Sequence, residues 1–87
     1  MTKLNLSDEL DKLATKEDFS KFVFGMLDDF RSDSANWENQ DLPSFLEAIA
    51  AWSKDMDGFY ANQGRAIPKD INWKVFAEIL YAARVYE

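Results

Sequence analysis

The chain has 87 residues, enough for one domain, expected over 1–87. At that size a protein buries only about 60–65% of the surface its unfolded form exposes, so seven Phe, three Trp and three Tyr must supply an efficient core. Sixteen acids against ten bases leave a net charge of −6, which repels phosphates and anionic membranes and argues against nucleic acid or membrane partners. With no cysteine and no histidine, disulfides, thiol chemistry, the usual general base and the commonest metal ligand are all excluded.

The first predicted element lies between Leu4 and Leu13, where Leu4, Leu6, Leu10 and Leu13 alternate with charges. Ser7 is a possible cap for two turns of helix, which hold only if those leucines dock on the rest. A longer helix opens after Thr15, a good N-cap, with Glu17 and Asp18 placing negative charge in its first turn. Its apolar residues Phe19, Phe22, Val23, Met26, Leu27 and Phe30 recur every three or four positions and form one face. Phe24 lies off that face, and so does Gly25, a place for a neighbouring backbone to come close. Ser32 to Asn36 reads as a turn that ends the helix and leads to Trp37.

Asp41 and Pro43 mark the start of the next helix, one as N-cap and the other in the first turn, where its missing N–H costs nothing. Leu42, Phe45, Leu46, Ile49, Trp52, Met56, Phe59 and Tyr60 stripe one face. The helix is expected from Leu42 to about Asn62; Gly58 offers an earlier stop as a left-handed cap, but Phe59 and Tyr60 continue the stripe and favour an end at Gly64, with a loop from Asn62 to Asp70 beyond. Asp70 or Asn72 caps a last helix from about Asn72 to Tyr86. That helix carries two stripes: Trp73, Phe76, Ala77, Leu80 and Ala83 on one side, Val75, Ile79, Ala82 and Tyr86 on the other. A helix apolar on two sides belongs in the centre. The fold class is therefore all-α: a compact bundle of three long helices plus one short N-terminal helix, with the three stripes meeting in a shared dry interior that takes in Phe22, Leu46 and Leu80.

Chemistry is sparse. Asp55-Met56-Asp57-Gly58 invites comparison with a calcium loop, but Phe59 stands where the fifth ligand belongs, the glycine arrives two places early and Ala66 replaces the closing acid. Glu38, Glu47 and Glu78 flank aromatics without a spacing that pairs them for acid–base work. No cofactor and no metal are expected, and an enzyme is the less favoured reading. Asp28, Asp29 and Asp33 are more suggestive, because acids in a last helical turn oppose the helix dipole at about 0.3–1 kcal/mol each. They read either as a solvated helix end or as a patch for a basic partner. Trp37, Trp52 and Trp73 read first as core or staple; any left exposed beside Tyr60 or Tyr86 becomes a natural interface centre.

Trp37-Glu38-Asn39 with Leu42, then Phe45-Leu46-Glu47-Ala48, Trp52, Asp55-Met56-Asp57-Gly58-Phe59-Tyr60, Asn62, Gly64, Pro68, Trp73, Ala77, Leu80, Ala82-Ala83 and the closing Tyr86-Glu87 resemble a family of small bacterial domains of unknown function. The resemblance covers Trp37 to Glu87; the first 36 residues share only the helical pattern. It implies a bacterial cytoplasmic origin, carries over no functional residue, and marks Trp37-Glu38-Asn39 and Tyr86-Glu87 for a shared structural or binding role.

Together these readings favour a protein-binding module, with a basic partner that it neutralises as the concrete version. The candidate surface is Asp28, Asp29, Asp33, Trp37, Glu38, Asn39, Tyr60, Trp73, Tyr86 and Glu87. The alternatives are a ligand-binding or enzymatic domain using Glu38, Asn39 and Tyr60 around a pocket, and a self-associating domain that shares its last helix.

Overall fold

Helices joined by turns and loops, with no strand, make up residues 6–86, the part of the chain that the computed structural model describes; Leu4 and the candidate Glu87 lie outside the described residues. The helices are α1 (Leu6–Lys12), α2 (Lys16–Asp33), α3 (Leu42–Asn62) and α4 (Trp73–Ala83), with a 3-10 turn over Ser34–Asn36 between α2 and α3. The chain is thus all-α, with three longer helices and one short N-terminal one. Among the described residues no helix is long and apolar enough to cross a membrane.

Local chemistry accounts for most of the helix ends. Thr15 caps α2 by accepting from the Asp18 amide at 3.1 Å, and the Asp18 carboxylate accepts in return from the amides of Thr15 and Ala14, a capping box closed by aspartate. Asp41 caps α3 by accepting from the Ser44 amide at 2.8 Å, with Pro43 in the first turn. These amide bonds hold both carboxyls below the usual carboxylate range. Their contribution is complete above the unfolded value of about 4 and is lost as the pH falls below it through the lowered folded-state pKa.

The turn predicted over Ser32 to Asn36 begins later than expected. α2 continues to Asp33 because the Ser32 hydroxyl donates to the Asp28 carbonyl at 2.9 Å, folding its polar group back onto the helix instead of breaking it. At the other end of the chain, α1 is already helical at Leu6, which puts Ser7 inside the helix and not at its cap. Gly25 does admit a neighbour, though not a backbone: a methyl there would meet the side chains of Glu9 and Leu6, each at 3.2 Å.

α3 runs unbroken through Gly58 and ends in a Schellman turn. Gly64 takes φ +68°, its amide reaches the Ala61 carbonyl, and the Arg65 amide reaches the Tyr60 carbonyl at 2.9 Å. A methyl added at Gly58 would meet nothing within 4 Å. Gly58→Ala is therefore expected to stabilise the protein by about 0.5–1 kcal/mol through helix propensity alone, seen as a higher urea midpoint with an unchanged slope.

α4 is central. It packs on α1, α2 and α3, whereas α2 and α3 do not pack on each other among the described residues. Its two stripes divide the interior in consequence. On one side Ala77 joins Leu10, Leu13, Phe22, Met26 and Trp37; on the other Val75 and Ile79 join Trp52, with Ile49, Met56, Phe59, Ala82 and Tyr86 around them. The expectation of one shared interior is thereby corrected. So is the place of Leu46, which is 53% exposed, and of Leu42, which is 67% exposed. With α2 held away by α4, Leu42 and Leu46 stay exposed in the first turns of the α3 stripe, while Phe45 between them packs on the α2 side of the core.

Candidate functional site

The segment between α2 and α3 does the locking. Trp37 is buried with its ring 5.1 Å from Phe30 of α2, edge-on, and stacked 5.9 Å from Phe45 of α3. Its indole N–H donates to Asp29 Oδ2 at 2.8 Å. Two residues on, the Asn39 side-chain amide donates to the carbonyls of Ala83 and Tyr86, at 2.9 and 2.8 Å, and its backbone amide donates to the Arg84 carbonyl. The Ala83 carbonyl is an orphan acceptor at the end of α4 and those of Arg84 and Tyr86 follow it, so the helix stops at Ala83, short of the expected Tyr86, and Asn39 takes up the carbonyls there.

Arg84 completes the lock from the α4 side. Its guanidinium lies 3.9 Å from the Tyr81 ring centroid and 5.8 Å from that of Trp37, and 3.9 Å from Asp29. Tyr86 then crosses to α3, its ring edge-on to Trp52 at 5.2 Å and its hydroxyl donating to Asp55, a carboxylate whose acceptance pushes the phenol pKa up. Asp29, Trp37, Asn39 and Tyr86 thus belong to one structural clasp that joins the ends of α2, α3 and α4. Glu38 is exposed beside it.

The acidic cluster is divided by this arrangement. Asp29 is taken up by Trp37 and Arg84, Asp33 accepts from the Asn36 side chain, and Asp28 remains exposed. The apparent conflict with the helix dipole is thereby answered for two of the three acids.

Tyr60 stands elsewhere, near the end of α3. It is 2% exposed, and its hydroxyl donates to Glu78 Oε1 at 2.6 Å. Arg65 donates to the other oxygen of Glu78 at 2.9 Å and covers the Tyr60 ring at 4.5 Å. Burial, reinforced by Glu78, pushes the Tyr60 pKa up to about 12. An unfolded phenol ionises near pH 10, so this stabilisation is complete below that value and is lost as the pH rises through the folded-state pKa. The unfolding free energy, followed through the urea midpoint, is expected to fall between about pH 10 and 12, by up to about 2–3 kcal/mol at about 1.4 kcal/mol per unit. Tyr60→Phe is expected to flatten the fall. Trp73, at the start of α4, is 41% exposed and rests on Phe19, which stacks on Phe76.

Glu38, Asn39 and Tyr60 are not brought together. What the structure does bring together is an open groove of about 380 Å³ between α2 and α3. Val23, Met26, Leu27 and Phe30 come from α2, Leu42 and Phe45 from α3, and Trp37 and Leu80 lie between them; Asn39, Gln40 and Asp41 close one end. Val23, Leu27 and Leu42 are 38%, 40% and 67% exposed. Sequence reasoning assigns most of these residues to the core and only Trp37 and Asn39 to a site. The one signal in the sequence is the width of the α2 stripe, which reaches from Phe22 round to Leu27. Among the described residues no group of three or more carboxylates is placed to hold a metal ion.

Residues 15–87 match the model of a family of unknown function (DUF7660), a span that takes in α2 as well as the region from Trp37 and leaves α1 outside. No curated protein and no solved structure matches the chain.

Proposed function

The chain belongs to that family of unknown function, and from this premise, which supplies no activity, we propose that it is a protein-binding module whose contact surface is the α2/α3 groove. The observation that carries the reading is the exposed apolar lining of that groove, with Leu27 and Leu42 open to solvent over a Trp37 floor. A contiguous apolar surface of this kind on a small acidic domain is what a protein partner covers. The polar groups that would orient a small substrate are committed: both Asn39 side-chain bonds go to carbonyls at and just beyond the end of α4, and Tyr60 is sealed beneath Arg65. A basic partner fits the net charge of −6. The proposed setting is the bacterial cytoplasm, on the strength of the cysteine-free sequence and the family resemblance.

The test is affinity capture from a lysate of the source organism, using the wild type and a Val23→Ser/Leu27→Ser variant. Both side chains are more than a third exposed, so the variant is expected to keep its fold, which a thermal melt checks. A basic polypeptide retained by the wild type and lost by the variant is the expected result. Retention by both alike defeats the reading. Asp29 is kept intact throughout, because removing it would release Trp37.

A further inference from the structure

We infer that the α2/α3 groove seats one amphipathic helix of a second polypeptide, apolar along the face it buries and carrying lysine or arginine at its edges. The inference rests on the binding reading above and specifies the occupant.

The first argument is shape. α2 and α3 both lie on α4 without packing on each other, so they form two walls over a floor of Trp37 and Leu80. A trough between two helices suits a third of about 10 Å diameter, set down ridges into grooves. On the α2 side the lining runs from Val23 to Phe30, roughly 10 Å of helix rise, which matches apolar partner residues at i, i+4 and i+7.

The second argument is that the fold fills an equivalent slot with a helix of its own. On the opposite flank of α2, α1 lies against α2 and α4 and covers Phe22 and Ala77 with Leu6, Leu10 and Leu13. Those leucines are spaced four and three apart. The flank facing α3 has the same apolar character and, among the described residues, no such cover.

The third argument is charge, and it selects among occupants. Asp41 is the one charged residue in the lining; Asp28, Asp29, Arg31 and Glu38 neighbour lining residues in the sequence, and Arg84 lies 5.8 Å from the Trp37 ring centroid. Arg84 offsets Asp29, which leaves Asp28, Glu38 and Asp41 against Arg31, with no lysine among them. A second copy of this chain, itself at −6, would bring like charge to that rim. A small apolar ligand would lie half in water beside the 67%-exposed Leu42, whereas ligand sites enclose most of what they bind.

The probe is a helix-forming peptide of about four turns, built of leucine and lysine with the leucines on one face. Its leucine–glutamate counterpart and a scrambled leucine–lysine peptide serve as comparisons, each titrated into the full chain by NMR. The leucine–lysine helix is expected to shift Val23, Leu27, Leu42 and Leu80, and to bind at least about tenfold more tightly than either comparison peptide. Leu27→Ser and Asp28→Lys/Glu38→Lys are each expected to weaken it by about tenfold. Equal binding of the glutamate or scrambled peptide overturns the inference, as do shifts confined to Phe19, Trp73 and Phe76. A concentration-dependent dimer in sedimentation, abolished by Leu27→Ser, overturns it in favour of a second copy. If no peptide binds while the captured polypeptide is still lost on Val23→Ser/Leu27→Ser, the helix falls and the protein-binding reading stands.

Discussion

Phe22→Ala is expected to lower the unfolding free energy by about 3–5 kcal/mol. Phe22 is 1% exposed and is the largest fully buried side chain among the described residues. It lies in the cluster where α1, α2 and α4 meet, beside Tyr81 at 6.2 Å. Its removal forfeits the transfer of the ring from water and leaves a cavity that three helices would have to close together. A domain of this length has roughly 4–13 kcal/mol in all, so the variant should be marginally folded at 25 °C, with α1 released first because its seven residues have no helical stability of their own. Urea unfolding followed by tryptophan fluorescence measures the loss. Phe24→Ala is the internal comparison: with Phe24 66% exposed, its effect should stay within about 0.5 kcal/mol. Similar losses for the two would contradict the placement of the core.

Trp37→Ala should cost about as much, roughly 3–5 kcal/mol, for a different reason. Trp37 touches α2 through Phe30 and α3 through Phe45, the two helices that α4 otherwise keeps apart. Trp37→Phe separates packing from hydrogen bonding. It keeps a ring in place but deprives Asp29 of its indole donor, at about 1–2 kcal/mol, since Asp29 retains partial exposure and Arg84 nearby. Asp29→Ala in the Trp37→Phe background should then add little, because the bond is already gone. Full additivity in that double-mutant cycle would show the bond to be worthless. The same series bears on the groove, whose floor is the Trp37 ring: Trp37→Ala should abolish binding of the leucine–lysine helix wherever the protein remains folded.

The positions of Trp37, Asn39 and Tyr86 show why a sequence leaves open the choice between a binding and a structural role. Asn39 serves the carbonyls of Ala83 and Tyr86, 44 and 47 residues away, and Tyr86 bonds Asp55 across 31 residues. No local rule announces such partners. Asp29 looks out of place in the sequence for the same reason, since Trp37 and Arg84, which take it up, lie beyond the end of α2. Glu78 carries no mark distinguishing it from any exposed helix acid, yet it holds both Tyr60 and Arg65.

The helices themselves, the caps at Thr15 and Asp41 and the stop of α3 at Gly64 follow from the amino-acid order alone, because each depends on groups within about four residues of one another; the choice of Asn72 over Asp70 as the cap of α4 and the passage of α3 through Gly58 came from the structure. The central place of α4 follows as well, from its two apolar stripes. What only the tertiary structure decided is how far apart α4 holds α2 and α3, and hence that Leu27 and Leu42 border an open groove while Phe22 lies in a sealed core. An apolar stripe records that a face is to be covered; the distance between helix axes determines whether this chain covers it or leaves it for another.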